Sequence, residues 1–286
     1  MIKNLYQKKK PVISLEVFPP KEDTDISLIY NTLDKMKELS PDFISVTYGA
    51  NGSSRHRTVE IAAYIQNTLG CEALAHLTCA ALDEAVLLDY LSQLKEANVK
   101  NVLALRGDMP KDMTRAEFEG RHFRYAKNLI NAIPKHPLGS IGAACYPEIH
   151  PESLDQADDI AHLKEKVDAG ADFLITQLFF DNFIFYDFME QLERAGIKVP
   201  VSAGIMPITS ISQIQRIVRL SGSQVPSSLA HILAKYQDNP EDVKKAGLEF
   251  ASIQIDGLIQ NNAAGIHLYT MNKFETADMV FRHIRP

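Results

Sequence analysis

A glutamate stands inside an apolar, strand-like run near the start of the sequence. Residues 14–21 read SLEVFPPK. Ser14, Leu15, Val17 and Phe18 suit a pleated, buried surface, and the two prolines end the run because neither can donate a ladder hydrogen bond. Glu16 is out of place there, since a buried carboxylate is costly unless it is paired or protonated. Burial alone pushes such a group upward, toward the range in which it can give up a proton, which is how a general acid is built. The plainer alternative is a glutamate turned outward at a strand end and paired with a helix.

Polar residues recur where later apolar runs stop: Thr47 and Tyr48, His76 and Thr78, Arg106 to Asp108, Tyr146 and His150, Gln177 and Asp181, and Lys273. Taken singly, Thr47 and Thr78 read as loop residues and His76 as a satisfied structural histidine. Arg106-Gly107-Asp108 carries more. Gly107 lets backbone approach a ligand closely, Arg106 offers a cation for phosphate, and Asp108 offers an acceptor for ring N–H groups. A mutual Arg106–Asp108 ion pair is the competing reading. The cysteines, Cys71, Cys79 and Cys145, form no C-x-x-C pair and no zinc-type spacing, so reduced thiols are expected and no metal is called for.

The elements that must position these residues alternate steadily. Apolar periodicity predicts strands at 12–18, 43–48, 73–78, 102–105, 141–145, 173–179, 201–205 and 266–270. Helical spacing predicts helices at 26–39, 58–69, 82–97, 125–133, 154–169, 184–195, 211–220 and 276–284, with Leu154, Ala157, Ala161, Lys164 and Val167 near one face of the fifth. Two further helices, 227–236 and 241–260, precede the last strand. Continuously apolar strands separated by helices indicate a parallel sheet covered on both faces. Eight repeats predict an α/β fold, a closed (β/α)8 TIM barrel in a single domain spanning 1–286, whose strand ends would gather on one face. An open doubly wound sheet is the alternative. It usually carries a Gly-rich first turn, and this sequence has neither G-x-G-x-x-G nor a P-loop.

The 286 residues are 45% hydrophobic and 23% charged, with a net charge of −6, which disfavours a nucleic-acid binder that relies on bulk charge. The basic N-terminal stretch is not followed by a signal-type apolar region, and no run approaches the roughly 18 apolar residues of a membrane span. A cytoplasmic protein is expected, with no membrane and no nucleic-acid partner.

SLEVFPPK, ISVTYGANGS, HLTC, LALRGD, YPEIHPES, DAGADFLITQLFFD, GIMPI and HLYTMNK occur in this order, from the first strand to the last. Together they resemble the bacterial methylenetetrahydrofolate reductase family. The resemblance implies a (β/α)8 barrel with non-covalent FAD, NADH or NADPH as co-substrate, methylenetetrahydrofolate as substrate and a homo-oligomeric assembly. It implies that Glu16 is the general acid that opens the folate ring and that Asp108 lies beside flavin and pterin. Gln177 and Gln213 match substrate contacts. Thr47, His76, Leu105, Arg106, Gly107, Tyr125, Ala126, Tyr146, His150, Asp159 and Lys166 match flavin contacts, as does Asp108.

The sequence departs from the enterobacterial pattern in places. Ile217 stands where that pattern has a phenylalanine packing on nicotinamide and folate. Lys273 replaces an arginine near the folate tail, keeping the charge but losing the bidentate fork. His162 and Glu165 occupy two further flavin-contact positions.

Overall fold

Aliphatic and β-branched runs too short for helices, each followed by an amphipathic stretch, form strands that hide both faces. The computed structural model describes residues 1–8, 11–48, 55–80, 82–110, 113–133 and 139–284. Its strands are β1 (Val12–Val17), β2 (Phe43–Val46), β3 (Glu72–Thr78), β4 (Asn101–Leu105), β5 (Ser140–Cys145), β6 (Phe173–Thr176), β7 (Val201–Ile205) and β8 (Gly265–Tyr269). They close a barrel in chain order, β8 pairing in parallel with β1. Register sets Glu16 opposite Ser45 of β2 on one side and Tyr269 of β8 on the other. The barrel expected from the sequence is therefore present.

Around it lie α1 (Leu5–Lys8), α2 (Ser27–Glu38), α3 (Arg55–Ala63), α4 (Glu84–Glu96), α5 (Arg115–Gly120), α6 (Ala126–Ala132), α7 (Gln156–Asp168), α8 (Asn182–Arg194), α9 (Ile211–Ser221), α10 (Ser227–Tyr236), α11 (Pro240–Gln260) and α12 (Phe274–Ile284). The extra pair α10 and α11 sits before the last strand, as the spacing predicts. Several helices start on a side-chain cap close to the strand end that precedes them. Asp83 accepts from Val86 N at 2.8 Å, Asp181 from Phe183 N at 2.9 Å and Ser210 from Gln213 N at 3.2 Å. Each cap answers an otherwise orphaned helix donor and fixes where the chain turns back from the barrel mouth. No helix among the described residues is long and apolar enough to cross a membrane.

The departures have local causes. β2 and β6 stop at Val46 and Thr176, short of the predicted ends. Beyond them Thr47 N still reaches Val17 O and Gln177 N reaches Cys145 O, after which the ladder is abandoned. The Gly49–Gly52 turn expected after β2 lies outside the described residues. α7 begins only after Asp155, which caps Asp158 N, so Leu154 is left 92% exposed and Leu163 becomes the buried residue of that helix. α5 forms in a stretch read as loop, held by a Thr114–Glu117 capping box.

The N-terminal segment forms a plug that periodicity did not reveal. Ile2 and Tyr6 are buried against Phe43, Leu74, Leu103 and Phe173, at the end where the strands begin. Tyr6 OH meets Ser202 Oγ at 2.7 Å, and Ile2 N donates to Asn101 Oδ1 at 3.2 Å. Truncating a buried aromatic costs about 3–5 kcal/mol, and losing a hydrogen bond about 1 kcal/mol. Urea unfolding should therefore show Tyr6→Ala destabilised near the lower of the aromatic values and Tyr6→Phe by roughly the smaller amount. Equal midpoints for wild type and Tyr6→Ala would show that the plug does not hold the barrel closed.

Candidate active site

Glu16 points from β1 into the mouth of the barrel with 19% of its side chain exposed. Two strands answer its carboxylate and a third brings a ring close to it. His267 Nε2 of β8 lies 3.4 Å from Oε2, Ser45 Oγ of β2 donates to it at 3.5 Å, and His76 Nε2 of β3 is 3.5 Å away. Burial pushes the Glu16 carboxyl upward, as its place in the sequence suggests, but His267, His76 and Ser45 outweigh it and the net displacement is downward. The expected upward shift is thus corrected by neighbours that strand register supplies. In this state Glu16 is an anion at neutral pH, with a donor on each side.

His76 is neutral there, because burial drives it down to about 4 from an ordinary 6.5. His267 is completely buried, and its Nδ1 lies 2.8 Å from Ser14 Oγ, which also reaches Ile266 O at 3.3 Å. The hydroxyl selects the tautomer. When it donates to Nδ1, Nε2 carries the proton and donates to the Glu16 carboxylate. When it turns to the Ile266 carbonyl, Nδ1 carries the proton and Nε2 accepts one from Glu16. One hydroxyl rotation therefore accommodates either protonation state. Sequence reasoning missed His267, Ser14 and Ser45 as partners. The signal was present in His267, an ionisable ring in an apolar run, the same anomaly that marks Glu16.

The residues expected to touch flavin gather on the β3–β5 side. Thr47 follows β2 and His76 lies on β3. Leu105 ends β4, and Arg106 to Asp108 follow it. Gly107 has φ +74, and a Cβ there would meet Thr78 Cβ at 2.8 Å, so the turn needs glycine for both conformation and space. Arg106 pairs with Glu152 at 2.5 Å, not with Asp108, which stays exposed. The Arg106 guanidinium also faces the rings of Phe118 and Tyr125. Tyr125 caps α6 ahead of buried Ala126 and stacks on His162 at 6.5 Å. Tyr146 packs edge-on against His150 at 4.7 Å, and burial together with Asp108 and Asp159 pushes its phenol up to about 12. Asp159 accepts from His150 N at 3.1 Å, and Lys166 donates to Ala144 O at 2.7 Å. His162 and Lys127 both pair with Glu165, at 3.2 and 2.7 Å.

The residues expected to touch folate fall on the β6–β8 side. Gln177 Oε1 accepts from Leu178 N at 2.9 Å. Gln213 on α9 accepts from Thr209 N and Oγ1 and donates to Pro207 O at 3.2 Å. Ile217, one turn on, packs in the apolar cluster with Met206 and Val218. Lys273 Nζ donates to Thr209 Oγ1 at 3.4 Å. A cavity of about 270 Å³ opens between Tyr146, Glu148 and Gln177 and the loop following α9.

The mouth has polar atoms to spare. Among the described residues, His76 Nε2, Thr78 Oγ1 and Arg106 Nε are buried without a hydrogen-bond partner. Such orphans are costly unless something pairs them, and these lie where β3 and β4 open beside bare Gly107 backbone. A flat, polar, phosphate-bearing group such as FAD fits that set: acceptors and donors at the strand ends, a cation in Arg106 and aromatic faces in Tyr125 and Tyr146.

The methylenetetrahydrofolate reductase family model matches residues 1–285, so the chain belongs to that family. It is 34% identical over 289 residues to a methylenetetrahydrofolate reductase (NADH) of Arabidopsis thaliana, covering 96% of this chain and 48% of that protein. Against the 5,10-methylenetetrahydrofolate reductase of Escherichia coli it is 33% identical over 267 residues, covering 92% of this chain and 87% of the other. The chain thus spans about half the length of the plant relative. A solved Clostridium thermocellum protein, described as binding two copies of 5-methyl-5,6,7,8-tetrahydrofolic acid, shares the fold at a TM-score of 0.69 and 13% identity, over 99% of this chain and 97% of its own.

The neutral state of His76 has a consequence for stability. Its folded pKa lies below the unfolded value, so between pH 6.5 and about pH 4 the unfolded chain binds a proton that the folded chain refuses. Stability must fall as pH drops through that window, by about 3 kcal/mol at most from this group. Urea midpoints measured across the window should drop for wild type and drop less for His76→Gln. Parallel curves would show that His76 does not set the acid sensitivity.

Proposed function

We propose, with membership of the methylenetetrahydrofolate reductase family as the premise, that the chain reduces 5,10-methylenetetrahydrofolate to 5-methyltetrahydrofolate. NADH or NADPH is the hydride source in a ping-pong cycle, and the product feeds methionine synthesis. The observation that carries the reading is Glu16, a carboxylate held at the mouth between His267 of β8 and Ser45 of β2, beside buried polar atoms without partners that suit a flavin. The catalytic unit is the single barrel domain, in a cytoplasmic homo-oligomer.

FAD, held without a covalent bond by Thr47, His76, Leu105 to Asp108, Tyr125, Ala126, Tyr146, His150, Asp159 and Lys166, would supply the hydride relay. Arg106 takes phosphate charge in this scheme, and its partner Glu152 must share it. Lys166, half-buried and already tied to Ala144 O, holds the β5 side of the site in place. Gln177 still has its amide N–H free to orient the pterin, since its oxygen accepts from Leu178. Asp108, exposed at the mouth, accepts ring N–H bonds and favours positive charge developing on the folate. Lys273 lies toward the substrate tail, Gln213 contacts the substrate, and Ile217 takes the place of an aromatic ring against nicotinamide and folate.

Glu16 donates the proton. Opening the methylene bridge expels an amine, a poor leaving group until it is protonated. Substrate covering the mouth removes the remaining water from Glu16, strengthening the upward push of burial against His267. The Ser14–His267 pair accepts either state of the acid and so accompanies its reprotonation.

Purified protein reconstituted with FAD should be yellow, and Glu16→Gln should separate the two half-reactions. General acid catalysis is worth about 10²–10⁴-fold. The variant should hold FAD and be reduced normally by NADH or NADPH, while anaerobic reoxidation by methylenetetrahydrofolate slows by roughly that factor in stopped-flow absorbance. Absence of flavin binding in folded protein would sink the assignment. Equal slowing of both steps would make Glu16 a structural residue.

A further inference from the structure

On its β8 side the end of β1 is held by side chains instead of a ladder. Backbone pairing between β1 and β8 stops at Glu16 and Tyr269. Past that point Thr270 Oγ1 donates to Glu16 O at 2.6 Å. Asn272 then takes both groups of one residue: its Oδ1 accepts from Phe18 N at 3.0 Å and its Nδ2 donates to Phe18 O at 2.8 Å. Asn272 N donates in turn to Thr270 Oγ1 at 3.2 Å. The amide replaces a missing strand partner just where Pro19 and Pro20 make further pairing impossible. Asn272 has φ 56 and Met271 φ 53, so the turn spends left-handed backbone at two successive non-glycine residues to aim that amide.

The clamp joins two parts of the mouth. On one side it holds the backbone of Glu16 and the residue two beyond it. On the other it precedes Lys273, whose Nζ reaches Thr209, which donates to Gln213. We propose that Asn272 is a positioning residue for the acid step, keeping β1 in register with β8 so that Glu16 stays within reach of His267 while Lys273 is aimed across the mouth. The proposal rests on the reductase reading given above.

Asn272→Gly is the appropriate variant, because glycine keeps the left-handed turn and removes both bonds to Phe18. Asn272→Asp is the second, since it keeps the turn and the acceptor for Phe18 N but removes the donor to Phe18 O. Misplacement of a reacting group by about 1 Å can cost on the order of 100-fold. With FAD-loaded protein, flavin reduction by NADH should stay within about twofold of wild type, while reoxidation by methylenetetrahydrofolate falls roughly 10-fold or more in Asn272→Gly and less in Asn272→Asp.

The pH profile of reoxidation is a second readout. Glu16 is faced by His267 and Tyr269 from β8, His76 from β3 and Ser45 from β2. Loosening β1 against β8 lengthens the His267 contact and leaves burial in charge, so the profile should move to higher pH. Unchanged reoxidation in Asn272→Gly overturns the proposal. So does equal slowing of both half-reactions, or slow reoxidation with an unmoved profile, each of which marks a merely structural residue. If either variant fails to fold, the other carries the test. Wild-type flavin that NADH reduces but methylenetetrahydrofolate cannot reoxidise would instead overturn the reductase reading.

Discussion

A carboxylate in the wall of a parallel barrel must be answered by the strands beside it, because a buried charge is costly without partners. Glu16 meets that constraint through His267 on β8, Ser45 on β2 and the neutral ring of His76 on β3. Each partner comes from a different strand, so the site exists only when the barrel is closed and in register. A one-residue slip would turn Glu16 to the helix side, or its partners away from it. The plug of Ile2 and Tyr6 at the opposite end and the caps at the mouth contribute by holding that register.

Around Glu16 the mouth divides by chemistry. The β4, β5, α6 and α7 side gathers arginine, lysine and aromatic rings, with Arg106 facing Phe118 and Tyr125, and half-buried Lys166 donating to Ala144 O of β5. The β6 to β8 side offers amides, hydroxyls and one lysine, joined through Thr209. A polyanionic cofactor suits the first side. A substrate with amide-like edges and an acidic tail suits the second. Glu16 stands between them, which suits the proton donor proposed for it.

The barrel was legible because its strands are buried on both faces and read as uninterrupted apolar runs, with breaks where polar ends begin. The position of Glu16 was legible for the same reason, as the one charge inside such a run. Its electrostatics were not. The upward shift inferred from burial is reversed by partners far away in sequence, and only closure of β8 on β1 brings His267 to it. The N-terminal plug was missed because two anchoring residues in so short a segment leave no periodic signal. Leu154 was misplaced because periodicity ignores the stop that Asp155 imposes, and the Arg106–Glu152 pair depends on how two loops fold back.

In the reaction proposed above, Glu16, an anion at rest, must come to hold a proton. The proposal turns on the opposing effects on Glu16, burial pushing its carboxyl up and hydrogen bonding pulling it down. His267 favours the anion only in the tautomer whose Nε2 carries the proton. The other tautomer favours the neutral acid, and Ser14 Oγ selects between them by turning from Nδ1 to the Ile266 carbonyl, both within its reach. A buried carboxylate beside a fixed cation would have no such freedom, since the cation would hold it ionised throughout. A ring that burial keeps neutral, as it does His76, lacks that fixed charge, which gives a reason for the wall of this barrel to set such a ring beside Glu16 in place of an arginine or a lysine.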